Sequence, residues 1–537
     1  MRDLPFIRQQ NERDWDILMF LVLLCLLIAA YLTHDMNFAY GTGTLTRALY
    51  VDEGFYSDAA QNLIKLGQWD MLHDSRHWPG SPMTAILQSI SFSLFGTSIE
   101  VARMLAAVLV VLGAWALYSI ARTRFHPGVS VLLVLSSIST MTFFAIARAA
   151  VTDPMAMVMF LVGVWAFVRL DNRALAIPLS LGFAFLAFFS KMYFIFAPAT
   201  MIALWLGELL LLPRIFEREI NGVLVKRLFL SLAVILIVYF SYRTYFDAEI
   251  SNFLAINANK SPALELDRII QSMKISIEFI PRNTQAVVFL FSLLLTIGYV
   301  LIRFVVARAA STAAWLPELR DSLSQISRAE WAMGIFLVSG MLTISSLRVL
   351  KTHYHFFAII PFAFLAVAML YHLFPRKLAA YLSVVLLFAH IAYQVPAYRE
   401  WLSRPQPRSI DTVSREIAAQ LHAEYPTGLI PVVGEYSAQL GLFSERIISI
   451  DAKWVSKTEL CARLNYWKPP YHVNVVWHNS ATRKMIEKIA SCPSVRVEAP
   501  AYHRSLPLKN DFIALSRLYY ENEPVASPLA PILLLLQ

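Results

Sequence analysis

The sequence has few charged residues and only three cysteines. Asp, Glu, Lys and Arg make up 15% of its 537 residues, whereas 57% are hydrophobic. A soluble domain usually has about 25% charged and about 45–50% apolar residues. The composition therefore excludes an ordinary soluble protein and indicates a polytopic membrane protein. The net charge of +9 does not predict a nucleic-acid partner, because the basic residues cluster between hydrophobic runs.

Several catalytic and cofactor motifs are missing from residues 399–537. This stretch has no glycine-rich phosphate loop, CxxC pair, HExxH helix or nucleophile elbow, so no nucleotide, zinc-protease or serine-hydrolase signature is present there. Cys25 lies in a hydrophobic run and reads as a small packing residue. Cys461 and Cys492 could pair in an oxidising compartment, but the sequence leaves this open.

Long hydrophobic runs predict a polytopic α-helical membrane protein with about 11 spans. Pro82–Phe95 is too short to cross the bilayer and is interpreted as a re-entrant or interfacial helix. The predicted spans are 16–33, 99–121, 129–147, 154–168, 174–190, 192–212, 228–246, 284–302, 330–347, 354–373 and 378–396.

The basic residues predict the orientation. With the N-terminus in the cytoplasm, most Lys and Arg of the connecting segments face inward, as the positive-inside rule requires. The odd number of spans then places residues 399–537 outside. We predict a multi-pass membrane protein with a transmembrane domain at 1–398 and an extracytoplasmic α/β domain at 399–537. Short strands and amphipathic helices alternate in the second domain, for example at 447–450 and 495–497.

Two adjacent carboxylates, Asp52 and Glu53, precede an amphipathic helix in the first outer loop. Its apolar face includes Phe55 and Ile64, so we expect it to lie in the membrane interface. A carboxylate in a partly dehydrated cleft can act as a general base. The alternative role is a helix cap that complements the helix dipole.

Other charged groups fall at the outer ends of the predicted spans, where burial is costly and usually marks function. Lys191 lies between two apolar runs and needs an anion. We predict that Lys191 binds phosphate together with a second group of basic residues. Asp153 precedes Pro154 and is expected to start a helix and to contact substrate. The further phosphate-binding candidates are Arg348, Lys351 and His355, and the substrate-loop candidates are His77 and Arg148.

Taken together, these residues resemble the GT-C superfamily of lipid-linked glycosyltransferases, in particular the protein O-mannosyltransferases and the bacterial aminoarabinose transferase of lipid A. The resemblance covers about residues 15–375. The loop Pro79-Gly80-Ser81-Pro82-Met83 departs from the commoner Pro-Pro-Leu pattern and has no preceding Lys. The matching parts are Asp52-Glu53, the Pro79/Pro82 loop, Leu94-Phe95-Gly96 with Glu100 to Arg103, Arg148 to Asp153, Ser190-Lys191, and His355 to Pro361.

The resemblance implies that residues 1–398 form a catalytic domain. It would transfer a sugar, with inversion, from a polyprenyl-phosphate donor at the outer face of a bacterial inner membrane. Asp52 would activate the acceptor, Asp153 would position sugar or acceptor, and the cationic cluster would hold the phosphate leaving group. The acceptor would be an envelope glycan, a glycolipid or a protein. A divalent metal is left open, with Glu53 and His77 as candidate ligands.

Two other functions are alternatives to a glycosyltransferase. A multi-span transporter of a lipid-linked or anionic substrate would place charges near mid-membrane and have repeated halves, but here the charges lie at one edge. A membrane-anchored sensor or binding protein predicts an inert membrane region, which the buried Lys191 contradicts.

Overall fold

In the computed structural model the chain divides into two compact units. The membrane unit comprises residues 1–49, 76–91 and 100–404, and the α/β unit comprises 50–75, 92–99 and 405–537. The structure describes 14–19, 21–25, 28–29, 49–69, 81–140, 143, 146–147, 149–216, 219–247, 250–251, 267, 325–345, 357–403, 410–434, 436–450, 456–476, 479–498, 501–504 and 512–520, with backbone alone at 49–52, 214, 345, 397, 400–403, 410, 474–476, 479–483, 501–504 and 512–514.

The described helices follow the hydrophobic pattern closely. In chain order they are α1 (Leu49–Leu66), α2 (Pro82–Phe95), α3 (Ile99–Ala121), α4 (Pro127–Ile138), α5 (Thr152–Arg169), α6 (Arg173–Ser190), a 3₁₀ turn (Met192–Ile195), α7 (Phe196–Leu206) with a π turn (Gly207–Leu211), α8 (Leu212–Ile215), α9 (Gly222–Tyr245), α10 (Arg328–Ser345), α11 (Ile359–Leu373) and α12 (Arg376–Ser403).

Among the described residues, six helices are long and apolar enough to cross a bilayer. They are Ile99–Ala121, Thr152–Arg169, Arg173–Ser190, Met192–Leu211, Gly222–Tyr245 and Arg376–Pro396. Each coincides with a predicted span. The predicted span 284–302 lies outside the described residues, so the total of about 11 stays a prediction. The 14-residue α2 would extend only about 21 Å, which is too short to span, as expected.

Helices α5 and α6 form an antiparallel hairpin joined by residues 170–172. The two helices approach closely because Gly163 has no side chain: a Cβ there would lie 2.9 Å from the carbonyl oxygen of Ser180. Small residues permit this kind of packing between membrane helices. The hairpin brings the start of α5 beside the end of α6, and therefore Asp153 beside Lys191.

An aromatic cluster holds α5, α7 and α10 together. The rings of Phe160 and Phe336 lie 4.6 Å apart, and Phe196 lies 5.8 Å from Phe336 and 5.2 Å from Phe357. Such ring pairs stabilise beyond the area they bury. A Cβ at Gly340 would lie 2.6 Å from the Phe357 ring, so glycine is needed for this packing.

Acidic residues join several basic ones at the end of the hairpin opposite Asp153. Glu208, in the π turn, lies 3.4 Å from Arg173 and 2.8 Å from Arg328. Glu330 lies 3.3 Å from Arg124 and 2.8 Å from His372. Each end of the hairpin therefore holds an ion pair, Asp153 with Lys191 at one end and Arg173 with Glu208 at the other.

The α/β unit contains a six-stranded mixed sheet. After α13 (Ile410–Glu424), its elements are β1 (Ile430–Val433), α14 (Ser437–Gly441), β2 (Ile447–Ile450), α15 (Lys457–Trp467), β3 (Tyr471–Val476), α16 (Asn479–Ala490), β4 (Val495–Val497), β5 (Ala501–Arg504) and β6 (Phe512–Tyr520). The strand order is β2-β1-β3-β6-β4, and β5 also pairs with β6.

The sheet is parallel on one side and antiparallel on the other. Strand β1 pairs parallel with β2 and β3, whereas β6 pairs antiparallel with β3, β4 and β5. Helices α15 and α16 cover an apolar core that includes Ile450, Leu464 and Ile489. A disulfide between Cys461 and Cys492, with Cα atoms 5.4 Å apart, joins α15 to the turn that follows α16. It answers the question that the sequence left open.

Residues 50–75, which sequence analysis placed in the membrane domain, belong to the α/β unit. Helix α1 buries its polar face there: Ser57, Gln61 and Asn62 are at most 3% exposed, whereas Ile64 is 38% exposed. An interfacial helix would expose this face to water, whereas here the face is buried. The reason is that Gln61 and Lys65 find backbone carbonyl partners in the C-terminal part of the chain. The proposed division at 398/399 stays a prediction.

We expect thiol labelling to separate Cys25 from the other two cysteines. Cys25 is a free, exposed thiol, so an alkylating reagent should modify one cysteine in the unreduced, denatured chain and three after reduction. The Cys461→Ala/Cys492→Ala variant should lose about 2–4 kcal/mol of stability, as for other disulfides that close loops of this size. The control Cys25→Ser should keep the wild-type melting temperature. Three reactive thiols without reductant would contradict the pairing.

We expect acid to destabilise the α/β unit through His472. This side chain is fully buried in β3, and burial lowers its pKa from 6.5 to about 4. His472 is therefore protonated below about pH 6.5 in the unfolded chain, but only below about pH 4 in the folded unit. Stability should fall by up to about 3 kcal/mol across this window.

Thermal unfolding of the full chain between pH 7.5 and 4 measures the effect of His472. The difference between wild type and His472→Leu isolates it, because the other titrating groups are common to both proteins. Two parallel curves of melting temperature against pH would contradict the assignment.

Candidate active site

Asp153 and Lys191 form a buried ion pair at one end of the α5–α6 hairpin. The Lys191 Nζ lies 3.2 Å from Oδ2 of Asp153, and the side chains are 14% and 5% exposed. Breaking such a pair leaves an uncompensated buried charge and typically costs about 3–5 kcal/mol. The sequence-based prediction that Lys191 needs an anion is met here by Asp153.

The backbone at Lys191 explains why its side chain turns back toward α5. Lys191 is the C-cap residue of α6, with φ −153° and ψ 119°, and its N–H donates to the carbonyl of Ala187. The helix therefore stops at Ser190, and the chain re-enters through the 3₁₀ turn Met192–Ile195. Because the helix is interrupted here, Lys191 can contact Asp153 although it lies between two apolar runs.

Tyr193 completes the cluster and was not predicted. Its hydroxyl donates a hydrogen bond to Oδ1 of Asp153, and Nζ of Lys191 lies 5.8 Å from the centre of its ring. The sequence signal was present, since Tyr193 is the polar aromatic residue two positions after Lys191. The 3₁₀ turn that directs it toward Asp153 could not be seen in the hydrophobic pattern.

Asp153 does not cap its helix in the expected way. The N-cap of α5 is Val151, with no side-chain cap hydrogen bond, and Asp153 lies in the first turn. A carboxylate there is still stabilised by the helix dipole. Because its oxygens contact Lys191 and Tyr193, its role is to form a polar cluster at the helix end.

Glu53 lies in a separate polar cluster in the α/β unit. It is 2% exposed, and its Oε2 accepts a hydrogen bond of 3.3 Å from Nε2 of Gln439. The N–H of Gly54 donates to Oε1 of Gln439 at 2.6 Å. Both residues of the predicted carboxylate pair lie inside α1, which begins at Leu49.

Lys65 anchors the other end of α1. Its Nζ donates to the carbonyl oxygens of Gly441, Ser444 and Ile447 at 2.7–2.9 Å and lies 3.1 Å from Oε1 of Gln61. Burial lowers the pKa of Lys65 to about 7, an effect that nearby carboxylates oppose. The surrounding oxygens favour the charged form, so this contact is strongest when Lys65 is protonated.

The structure thus brings together Asp153 with Lys191, and describes Glu53 in the other unit. Among the described residues, no three His, Cys, Asp or Glu side chains cluster as a metal site would require. The remaining predicted site residues lie outside the described part of the structure, except that the backbone of Asp52 is described. They are Asp52, His77, Arg148, Arg348, Lys351 and His355.

A sequence comparison matches part of the membrane unit to a known family. Residues 79–211 match the family described as dolichyl-phosphate-mannose-protein mannosyltransferase. This segment includes α5, α6 and the Asp153–Lys191 pair. No curated protein matches the chain.

The solved structures that are similar to most of this chain include an ArnT and an oligosaccharyltransferase. A crystal structure of ArnT from Cupriavidus metallidurans, bound to undecaprenyl phosphate, is similar with a TM-score of 0.51 and 13% identity, covering 94% of this chain and 98% of that one. An oligosaccharyltransferase from Archaeoglobus fulgidus, in complex with zinc and sulfate, has a TM-score of 0.46 and 13% identity, covering 91% and 72%.

The family match and the ArnT likeness concern the part of the molecule in which the sequence analysis placed the chemistry. At 13% identity the ArnT likeness bears on the fold alone, whereas the family match bears on the region of Lys191. The family match thus confirms, over residues 79–211, the predicted resemblance to the GT-C superfamily of lipid-linked glycosyltransferases.

Proposed function

We propose that this protein is an inverting glycosyltransferase that uses a polyprenyl-phosphate sugar and works at the outer face of a bacterial inner membrane. The acceptor would be an envelope glycan, a glycolipid or a protein. The observation that carries the proposal is the buried cluster of Lys191, Asp153 and Tyr193, which lies within the segment that matches the mannosyltransferase family.

Lys191 would bind the phosphate of the donor. In the structure its ammonium is already held in place by Asp153 at 3.2 Å, so a phosphate would meet a positioned cation. Phosphate carries more negative charge as the sugar leaves, and a fixed cation in a low-dielectric site stabilises that change. Arg348, Lys351 and His355 are proposed to contribute further positive charge.

Asp153 and Tyr193 would orient the sugar. When the donor phosphate replaces Asp153 as the ion-pair partner of Lys191, the Asp153 carboxylate can accept a hydrogen bond from a sugar hydroxyl. Its oxygens are acceptors only. Tyr193 donates to the same carboxylate and would keep it aligned during this exchange. His77 and Arg148 are proposed to line the substrate loop.

The chemical step would be an in-line displacement. A carboxylate of the Asp52-Glu53 pair takes the proton from the acceptor hydroxyl or amine as the acceptor atom bonds to the anomeric carbon. The bond from that carbon to the phosphate oxygen breaks, and the electron pair leaves with the polyprenyl phosphate. A single displacement inverts the anomeric configuration. No nucleotide takes part, since the donor is carried on the lipid.

Two features support an extracytoplasmic location for the α/β unit. The Cys461–Cys492 disulfide is typical of oxidising compartments. The hydrogen bonds of Lys65 to Gly441, Ser444 and Ile447 require residues 50–66 and the C-terminal part of the chain to share one side of the membrane. Both segments are outside in the orientation predicted from the basic residues.

The donor lipid to test first is undecaprenyl phosphate carrying a sugar, since the ArnT structure that shares this fold was solved with undecaprenyl phosphate bound. Reconstituted protein would be supplied with pentose, hexose and amino-sugar donors. Mass spectrometry of labelled envelope glycans, glycolipids and proteins would identify the product. Absence of transfer from every polyprenyl-phosphate sugar would contradict the proposed function.

We expect Lys191→Met to raise the KM for the donor about tenfold to a hundredfold. A hydrogen bond to a charged group contributes about 1.5–3 kcal/mol, and 1.4 kcal/mol corresponds to tenfold in affinity. Steady-state kinetics with varied donor at saturating acceptor measures the change, and thermal unfolding measures the accompanying loss of stability.

Arg173→Met is the matched control for Lys191→Met. Arg173 pairs with Glu208 at 3.4 Å, with side chains 13% and 16% exposed, so its loss also breaks a buried ion pair at the opposite end of α6. Both variants should melt at lower temperature, but only the Lys191 variant should raise the donor KM. Equal KM values would remove Lys191 from the donor site.

We expect Asp52→Asn to lower kcat at least about 100-fold while expression and melting temperature are retained. A positioned general base contributes about 10²–10⁴-fold, and the amide cannot accept the proton. Asp58→Asn removes a charge from the same helix and should keep most of the activity. Wild-type turnover by Asp52→Asn would transfer the role of base to another group.

A further inference from the structure

We infer that Gln439, in the C-terminal part of the chain, is a positioning residue that holds the carboxylate of Glu53 and the first turns of α1. This inference rests on the proposed function, in which the Asp52-Glu53 pair activates the acceptor. Gln439, in the C-terminal part of the chain, would act on that step through Glu53. All residues that carry the inference lie in the α/β unit.

The amide of Gln439 makes two hydrogen bonds that fix its orientation. Its Nε2 donates to Oε2 of Glu53 at 3.3 Å, and its Oε1 accepts from the N–H of Gly54 at 2.6 Å. With the amide rotated by half a turn, oxygen would face the carboxylate and nitrogen would face the N–H, so both contacts would become repulsive. Gln439 is fully buried, and water cannot readily replace it.

The backbones also meet at this point. A Cβ on Gly54 would lie 2.2 Å from the backbone nitrogen of Gln439 and 2.5 Å from the carbonyl carbon of Ala438. Glycine inside a helix lowers helix stability by about 1 kcal/mol relative to alanine. Its presence in the second turn of α1 is explained by this close approach, which leaves Glu53 no freedom to move away from Gln439.

The fold places Gln439 where open α/β sheets usually hold their ligands. Helix α14 follows β1, and the N–H groups of Gly434 and Tyr436 in the connection donate to Ile450 and Val473, on the two neighbouring strands. The carboxyl ends of parallel strands, beside a change in the direction of strand order, form the common binding crevice of such sheets. Here the N-terminal part of α1 contacts that end of the unit.

A second, independent contact holds the far end of α1. Lys65 lies 11 residues beyond Gly54, about 17 Å further along the helix, and donates to three carbonyl oxygens. The helix therefore stays bound when the Gln439 contact is changed, and Lys65 provides a control that loosens the helix away from Glu53.

A reciprocal exchange of the two side chains tests the contact. Gln439→Glu places two carboxylates together, and we expect a melting temperature several degrees lower. Adding Glu53→Gln restores a donor opposite an acceptor, so the double variant should recover most of that loss. Losses that simply add in the double variant would overturn the contact.

Kinetics with the polyprenyl-phosphate sugar and its acceptor test the positioning role. We expect Gln439→Glu to lower kcat about tenfold or more with the donor KM unchanged, at a temperature well below melting. Lys65→Met should lower the melting temperature while keeping kcat within about twofold. A kcat of Gln439→Glu no lower than that of Lys65→Met would overturn the role.

The melting temperatures of the exchange variants are measured without substrate, so this test is independent of catalysis. If wild-type protein transferred no sugar, the proposed function and the positioning role in it would both fall, and a recovery in the double variant would still establish the contact. If wild-type protein transferred sugar and Gln439→Glu did so equally well, the positioning role alone would fall.

Discussion

A charge buried at the end of a membrane helix has to be paired, and the pair of Lys191 and Asp153 meets this requirement. The 3.2 Å contact depends on the whole α5–α6 hairpin: on Gly163, which lets the helices approach, and on the end of α6 at Ser190. The same constraint suits phosphate binding. A cation that is already desolvated and held in position loses little further hydration or side-chain entropy when an anion replaces its partner.

Much of the membrane unit could be predicted because membrane helices must satisfy their backbone internally, so that hydropathy marks their ends. The sequence also predicted that Lys191 needs an anion, because the residue lies between two apolar runs with no loop to solvate it. The identity of the partner was not, because Asp153 lies 38 positions earlier and the hairpin geometry decides which groups meet. Tyr193 was missed because a short 3₁₀ turn leaves no periodic signal.

Helix α1 shows the limit of amphipathic patterns. Periodicity correctly grouped the polar side chains on one face, but it could not say which face is buried. The partners of Gln61 and Lys65 are backbone carbonyls at residues 438–447, and a carbonyl has no signature in the sequence. The same holds for Gln439, which is one amide among many until the fold brings it to Glu53. Helix α14, with five residues, is too short for a helical period to reveal it.

The α/β unit includes the helix on which the predicted carboxylate pair lies. The predicted catalytic carboxylates belong by sequence to the first loop, yet α1 buries Ser57, Gln61 and Asn62 in the α/β unit. A buried polar side chain without its partner costs about 1–3 kcal/mol. Without residues 405–537, the side chains of Glu53, Gln61 and Lys65 would lose hydrogen-bond partners together, and these contacts would no longer hold α1 in its orientation. The C-terminal part of the chain therefore holds α1 at two points: Gln439 binds the first turns of the helix, and the carbonyl oxygens of Gly441, Ser444 and Ile447 bind Lys65 near its end.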